Sequence, residues 1–101
     1  LIGTSSVSPS RWPDWPGYGE VVSLYLLPEY MGRGLGKALL LAAVERLKER
    51  GFRDILLWVL EENRWARDFY EKAGFFSAGN FMEDEIGGRP LREVLYRRNG
   101  L

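Results

Sequence analysis

The residues best placed to do chemistry are Met31-Gly32-Arg33-Gly34-Leu35-Gly36-Lys37, a glycine-rich turn between a strand pattern and a helix pattern. Glycines at such a junction let the backbone approach a ligand closely. The first N–H groups of the helix have no partner within it, and together with the positive end of the dipole they suit a phosphate or pyrophosphate. A tight turn that needs positive φ explains the same glycines without any ligand. Two nucleotide motifs fail on register. A Walker A loop ending at Gly36-Lys37 needs glycine at 31 and Ser or Thr at 38, where Met31 and Ala38 stand. A dinucleotide fingerprint starting at Gly32 needs glycine at 37, where Lys37 stands.

Composition narrows the chemistry further. The 101 residues contain neither histidine nor cysteine. That removes a Ser-His-Asp triad, a thiolate nucleophile, and histidine- or cysteine-ligated metal sites, and no metal is expected. Proton transfer falls to carboxylates, tyrosine or lysine. The 14 Lys+Arg balance the 14 Asp+Glu, so there is no basic footprint for nucleic acid. No apolar run approaches the ~20 residues that span a bilayer. The opening Leu1-Ile2-Gly3 carries neither an initiator Met nor a charged signal region, which reads as part of a longer, cytoplasmic chain.

The elements that must hold these residues follow from pattern. Residues 1–7 are small and β-permissive. Residues 8–19 form a Pro/Gly loop with Trp12, Trp15 and Tyr18, which either cover the core edge or line a ligand mouth. Residues 20–27 (EVVSLYLL) read as a strand stopped by Pro28. Residues 35–50 are helical, with Leu40, Ala43, Val44 and Leu47 at i, i+3, i+4, i+7 spacing and Gly51 as the stop. Residues 54–60 (DILLWVL) read as a strand covered on both faces. Asn63 is suited to cap a helix over 64–73, with Ala66, Phe69, Tyr70 and Ala73 in one stripe and Gly74 closing it. Strands are expected over 75–82 and 91–97, separated by Glu83-Asp84-Glu85 and the turn Gly87-Gly88-Arg89-Pro90. The order strand, strand, helix, strand, helix, strand, strand defines one mixed α/β domain.

The strand VVSLYLLPEY, the turn MGRGLGKALL, the strand LLWVLEEN and the helix RWARDFYEKAGF together resemble the GNAT superfamily of N-acetyltransferases. The likeness runs over residues 20–98. The family's turn pattern is Gln/Arg-x-x-Gly-x-Gly/Ala; Gly34 and Gly36 are kept, and Met31 departs from it. The resemblance implies an acyl-CoA N-acyltransferase fold with a mixed, mostly antiparallel sheet, and a single partial domain (1–101) lacking the N-terminal strand and helices. It implies direct transfer of acetyl from acetyl-CoA to an amine of a small molecule or protein, or a coenzyme-binding module of the same fold without turnover. The pantetheine arm would pair with the backbone of Leu24, Tyr25 and Leu26. The pyrophosphate would meet the N–H groups of Gly32, Arg33, Gly34, Leu35, Gly36 and Lys37. Asn63 matches the asparagine that bonds the arm, and Tyr70 the general acid that protonates the departing thiolate. For the general base, one family position is occupied here by Trp58. Glu20, at the start of the strand before the turn, is the leading candidate, ahead of Glu61, Glu62, Asp84 and ordered water. With its front portion missing, such a domain would expose sheet edge and apolar surface, which favours a homodimer or domain swap.

Overall fold

A computed structural model describes residues 3–26 and 34–101. The chain is mixed α/β, with five strands and two helices, and it divides into two compact units.

The first unit comprises Leu1–Ile55 and Asn99–Leu101. In it β1 (Gly3–Pro9) and β2 (Gly19–Leu26) run antiparallel from Gly3↔Leu26 to Pro9↔Gly19, with an irregularity between Ser6 and Val7. The intervening loop folds on itself through Ser10 N–H to Tyr18 O, 2.8 Å. Helix α1 (Leu35–Glu49) packs on both strands. Its buried residues are Leu40, Ala43, Val44 and Leu47, the stripe expected from spacing, and each buried leucine contributes about 2 kcal/mol. Val21 is buried on β2.

Close packing leaves no room for a side chain at Gly19. A Cβ there would stand 2.9 Å from Leu47 Cδ2 and 3.1 Å from Phe52 Cγ. Gly19→Ala is therefore expected to cost about 1–2 kcal/mol through overpacking, read as a lower urea midpoint with unchanged m. A midpoint equal to wild type would refute the close approach.

The second unit, Leu56–Arg98, holds most of β3 (Ile55–Leu60), α2 (Arg64–Lys72), β4 (Phe81–Ile86) and β5 (Arg89–Arg98), with the strands in the order β3-β5-β4. Successive residues Ile55, Leu56 and Leu57 are all buried, as a strand covered on both faces requires. Phe75, Val94, Leu95 and Tyr96 are buried as well.

The strand expected over 75–82 lies elsewhere. Residues 75–80 form only one bridge, Phe76↔Arg97, and β4 begins at Phe81 and runs through Glu83-Asp84-Glu85. By polarity alone these acidic residues suggest a loop between strands. Here they lie on an edge strand, where charge is tolerated and blunts unwanted pairing. Register is set by the two-residue turn Gly87-Gly88, which brings Ile86 opposite Arg89 and Glu83 opposite Arg92. The last of these pairs is an ion pair of 2.8 Å. No helix among the described residues is long and apolar enough to cross a membrane.

Candidate active site

In the first unit the described candidate residues lie on β2 and at the start of α1. On β2, Leu24 is half-buried and Tyr25 is exposed, and they pair with Ser5 and Thr4 of β1. Leu26 pairs with Gly3. Gly34 precedes α1 with φ 76° and ψ 0°, a left-handed conformation in which a Cβ is costly. Among the described residues no atom lies within 4 Å of a would-be Cβ there. The first helical bond runs from Ala38 N–H to Gly34 O at 3.2 Å, so the N–H groups of Leu35, Gly36 and Lys37 have no intrahelical acceptor. No acidic side chain lies in this first turn, and Lys37 is exposed. An anion fits this charge pattern. Gly32 and Arg33, expected to share the site, lie outside the described residues.

Glu20 opens β2 and is almost wholly buried, at 1% exposure. Its carboxylate accepts from the Arg11 backbone N–H (3.2 Å), from Arg11 Nε (3.4 Å) and from Arg11 Nη2 (2.8 Å). Burial by itself would push the carboxyl pKa up. The Arg11 side chain and backbone, with the Trp12 indole, outweigh it and hold the group below the ordinary carboxylate range. The carboxylate is thus ionised and already engaged. Arg11 is not marked by any local pattern in the sequence; the hairpin register brings it in, because Ser8 pairs with Glu20 and Arg11 follows β1 just beyond that rung.

In the second unit Asn63 and Tyr70 share α2. Asn63 Oδ1 accepts from Ala66 N–H at 3.1 Å and so caps the helix. Tyr70 lies seven residues on, nearly in line on the same face and about 10 Å along the axis. Its ring is half-buried, edge-on to Phe69 (5.3 Å between centroids) and to Phe75 (6.0 Å). Trp65 stacks flat on Phe69 at 5.4 Å. Burial raises the Tyr70 phenol above its usual pKa, so it keeps its proton at neutral pH. Asn63→Ala removes the cap bond and is expected to cost about 1 kcal/mol, lowering Tm by several degrees in a calorimetric scan. A variant as stable as wild type would show that the bond carries no weight.

The other carboxylates considered as bases are exposed and paired. Glu61 meets Arg92 at 3.7 Å and Glu62 meets Arg89 at 3.5 Å. Asp84 accepts from Glu85 N–H at 2.7 Å. Trp58 is half-buried on β3.

Each unit thus carries one of the expected features: a glycine-led helix start in the first, and in the second a capped helix with a half-buried phenol, within a mixed α/β fold. The model of the acetyltransferase (GNAT) family matches residues 1–75, and the chain belongs to that family. It is 37% identical over 97 residues to the uncharacterized N-acetyltransferase YuaI of Bacillus subtilis, covering 93% of this chain and 53% of that protein. It is 42% identical over 62 residues to the mycothiol acetyltransferase of Corynebacterium aurimucosum, covering 61% of this chain and 20% of that one. Among solved structures, PaiA N-acetyltransferase from Thermoplasma acidophilum in complex with coenzyme A superposes with a TM-score of 0.72 at 29% identity. That match covers 98% of this chain and 54% of the other. The chain thus spans from a fifth to about half the length of these relatives.

Proposed function

We propose that the protein transfers acetyl from acetyl-CoA directly to an amine of a small molecule or protein. The observation that carries this reading is Tyr70, a phenol kept protonated by burial on a helix capped by Asn63, in a chain of the GNAT family. The N–H groups of Leu35, Gly36 and Lys37, which have no acceptor within the helix, meet the pyrophosphate together with those of Gly32, Arg33 and Gly34, and Lys37 adds a positive charge. The backbone of Leu24, Tyr25 and Leu26 and the Asn63 amide hold the pantetheine arm. The amine nitrogen attacks the thioester carbon and the carbon–sulfur bond breaks. The departing sulfur takes the Tyr70 proton, and the proton lost by the amine goes to a carboxylate, with Glu20 the leading candidate, or to water. With no cysteine in the chain, no acyl-thiol enzyme forms on that residue type.

Two measurements test this. Acetyl-CoA at a hundred times its Kd is expected to stabilise the protein by about 2.7 kcal/mol. Free thiol should then be released in the presence of a small amine, a peptide with a free N-terminus or a lysine peptide. Stabilisation with no thiol release from any of them identifies the coenzyme-binding module instead. No stabilisation sinks both.

A further inference from the structure

Helix α2 has only nine helical residues, Tyr70 among them and Asn63 capping their start, and none of its side chains is fully buried. A helix this short owes its placement to tertiary contacts, and half-buried apolar packing leaves its rotation loosely set. A polar anchor supplies what the packing does not. Tyr96 stands in the buried β5 run Val94-Leu95-Tyr96 and is 0% exposed. Its hydroxyl donates to Glu71 Oε2 at 2.6 Å and accepts from Arg67 Nε at 3.1 Å. Arg67 and Glu71 are four residues apart, hence neighbours on the helix surface, so one hydroxyl ties two successive turns. Arg67 Nη1 also donates to the Glu61 carbonyl at 3.2 Å, just past the end of β3. Tyr70 lies between the two anchoring positions in sequence.

We propose that Tyr96 is a positioning residue: through Glu71 and Arg67 it sets the rotation of α2 and so aims the Tyr70 phenol and the Asn63 amide. The proposal rests on the acetyl-transfer reading for its kinetic consequence. Charge-assisted bonds of this length are short and directional, which suits them to fix an angle. Glu71 is exposed and Arg67 half-buried, so water replaces the lost hydroxyl at both when it is removed. The cost then falls on the aim of α2 more than on folding.

The test compares Tyr96→Phe, Glu71→Ala and Glu71→Gln in the full chain. Tyr96→Phe and Glu71→Ala are expected to lower kcat about tenfold, with KM for acetyl-CoA changed less than about twofold, because a misaimed acid slows chemistry more than binding. Glu71→Gln keeps an acceptor for the Tyr96 hydroxyl and should restore kcat. A Tyr96→Phe enzyme with unchanged kcat, a loss confined to KM, or a Glu71→Gln enzyme as slow as Glu71→Ala overturns the proposal. Wild-type protein that turns over no amine would sink the functional reading alone. The NMR ring signals of Tyr70, assigned by their absence in Tyr70→Phe, then decide. They are expected to move in Tyr96→Phe and Glu71→Ala and to return in Glu71→Gln; signals that stay put overturn the positioning role.

Discussion

Tyr70→Phe is expected to lower kcat for acetyl transfer by about 10²–10³-fold, within the range that a positioned proton donor contributes. The substitution removes one oxygen and leaves the ring where it is, edge-on to Phe69 and Phe75. Stability and acetyl-CoA affinity should therefore stay near wild type, and the loss should be one of kcat and kcat/KM together, the mark of an interaction made in the transition state. The sign of the pH dependence follows from burial. Desolvation disfavours the phenolate, so the folded pKa is raised and the proton is present across the whole neutral range. In the wild-type enzyme the alkaline fall due to Tyr70 should begin only above about pH 10, the ordinary tyrosine value. Tyr70→Phe should lack that limb. Because the phenol is neutral in both folded and unfolded chains below that pH, it gives no pH-dependent stability there. Above it the unfolded chain releases its proton first, and stability declines. Steady-state thiol release between neutral and alkaline pH measures the rates, and urea titrations over the same range measure the stability. A variant with undiminished kcat would remove Tyr70 from the reaction.

What could be read in advance divides along physical lines. The α1 stripe Leu40, Ala43, Val44 and Leu47, the Asn63 cap and the apolar β3 run follow from local periodicity and capping, which a linear sequence displays directly. The position of β4 did not follow. Its acidic residues owe their tolerance to an edge position, and Arg92 opposite Glu83 becomes visible only once the Gly87-Gly88 turn has set the register. The site behaves similarly. The residue types at Gly34, Lys37, Asn63 and Tyr70 were legible as a pattern. Their partners were not, because Arg11 reaches Glu20, and Tyr96 reaches Glu71, across strand and helix boundaries. One cue was available: a tyrosine inside a buried run needs a partner for its hydroxyl.

Glu20 is where pattern and environment pull apart, and its replacement is expected to have the largest effect on stability. A carboxylate at 1% exposure that accepts from Arg11 side chain and backbone cannot be removed without stranding donors. Glu20→Ala is expected to destabilise by about 3 kcal/mol, since breaking a buried pair leaves uncompensated polar groups. Arg11→Ala should cost somewhat less, about 2 kcal/mol, because the buried Glu20 carboxylate that it strands keeps the Arg11 backbone N–H and can take up a proton. In a domain of this size the larger loss corresponds to a fall in Tm of roughly 15 °C. The folded pKa of Glu20 is depressed, so between it and the ordinary value the unfolded chain binds more protons than the folded one. The stability it confers is present above about pH 4.3 and is lost as pH falls through the folded pKa. Arg11→Ala should flatten that acid-side decline, and urea titrations from pH 7 down to pH 3 read it. An Arg11→Ala profile parallel to wild type would show that the pair does not set the Glu20 titration. Glu20→Gln separates structure from chemistry, because the amide oxygen still accepts from the Arg11 backbone but accepts no proton from an amine. Stable Glu20→Gln protein with full turnover would assign Glu20 to holding the Arg11 loop and leave the base to water. Stable protein whose turnover has collapsed would identify the carboxylate as the base, working while bound to Arg11.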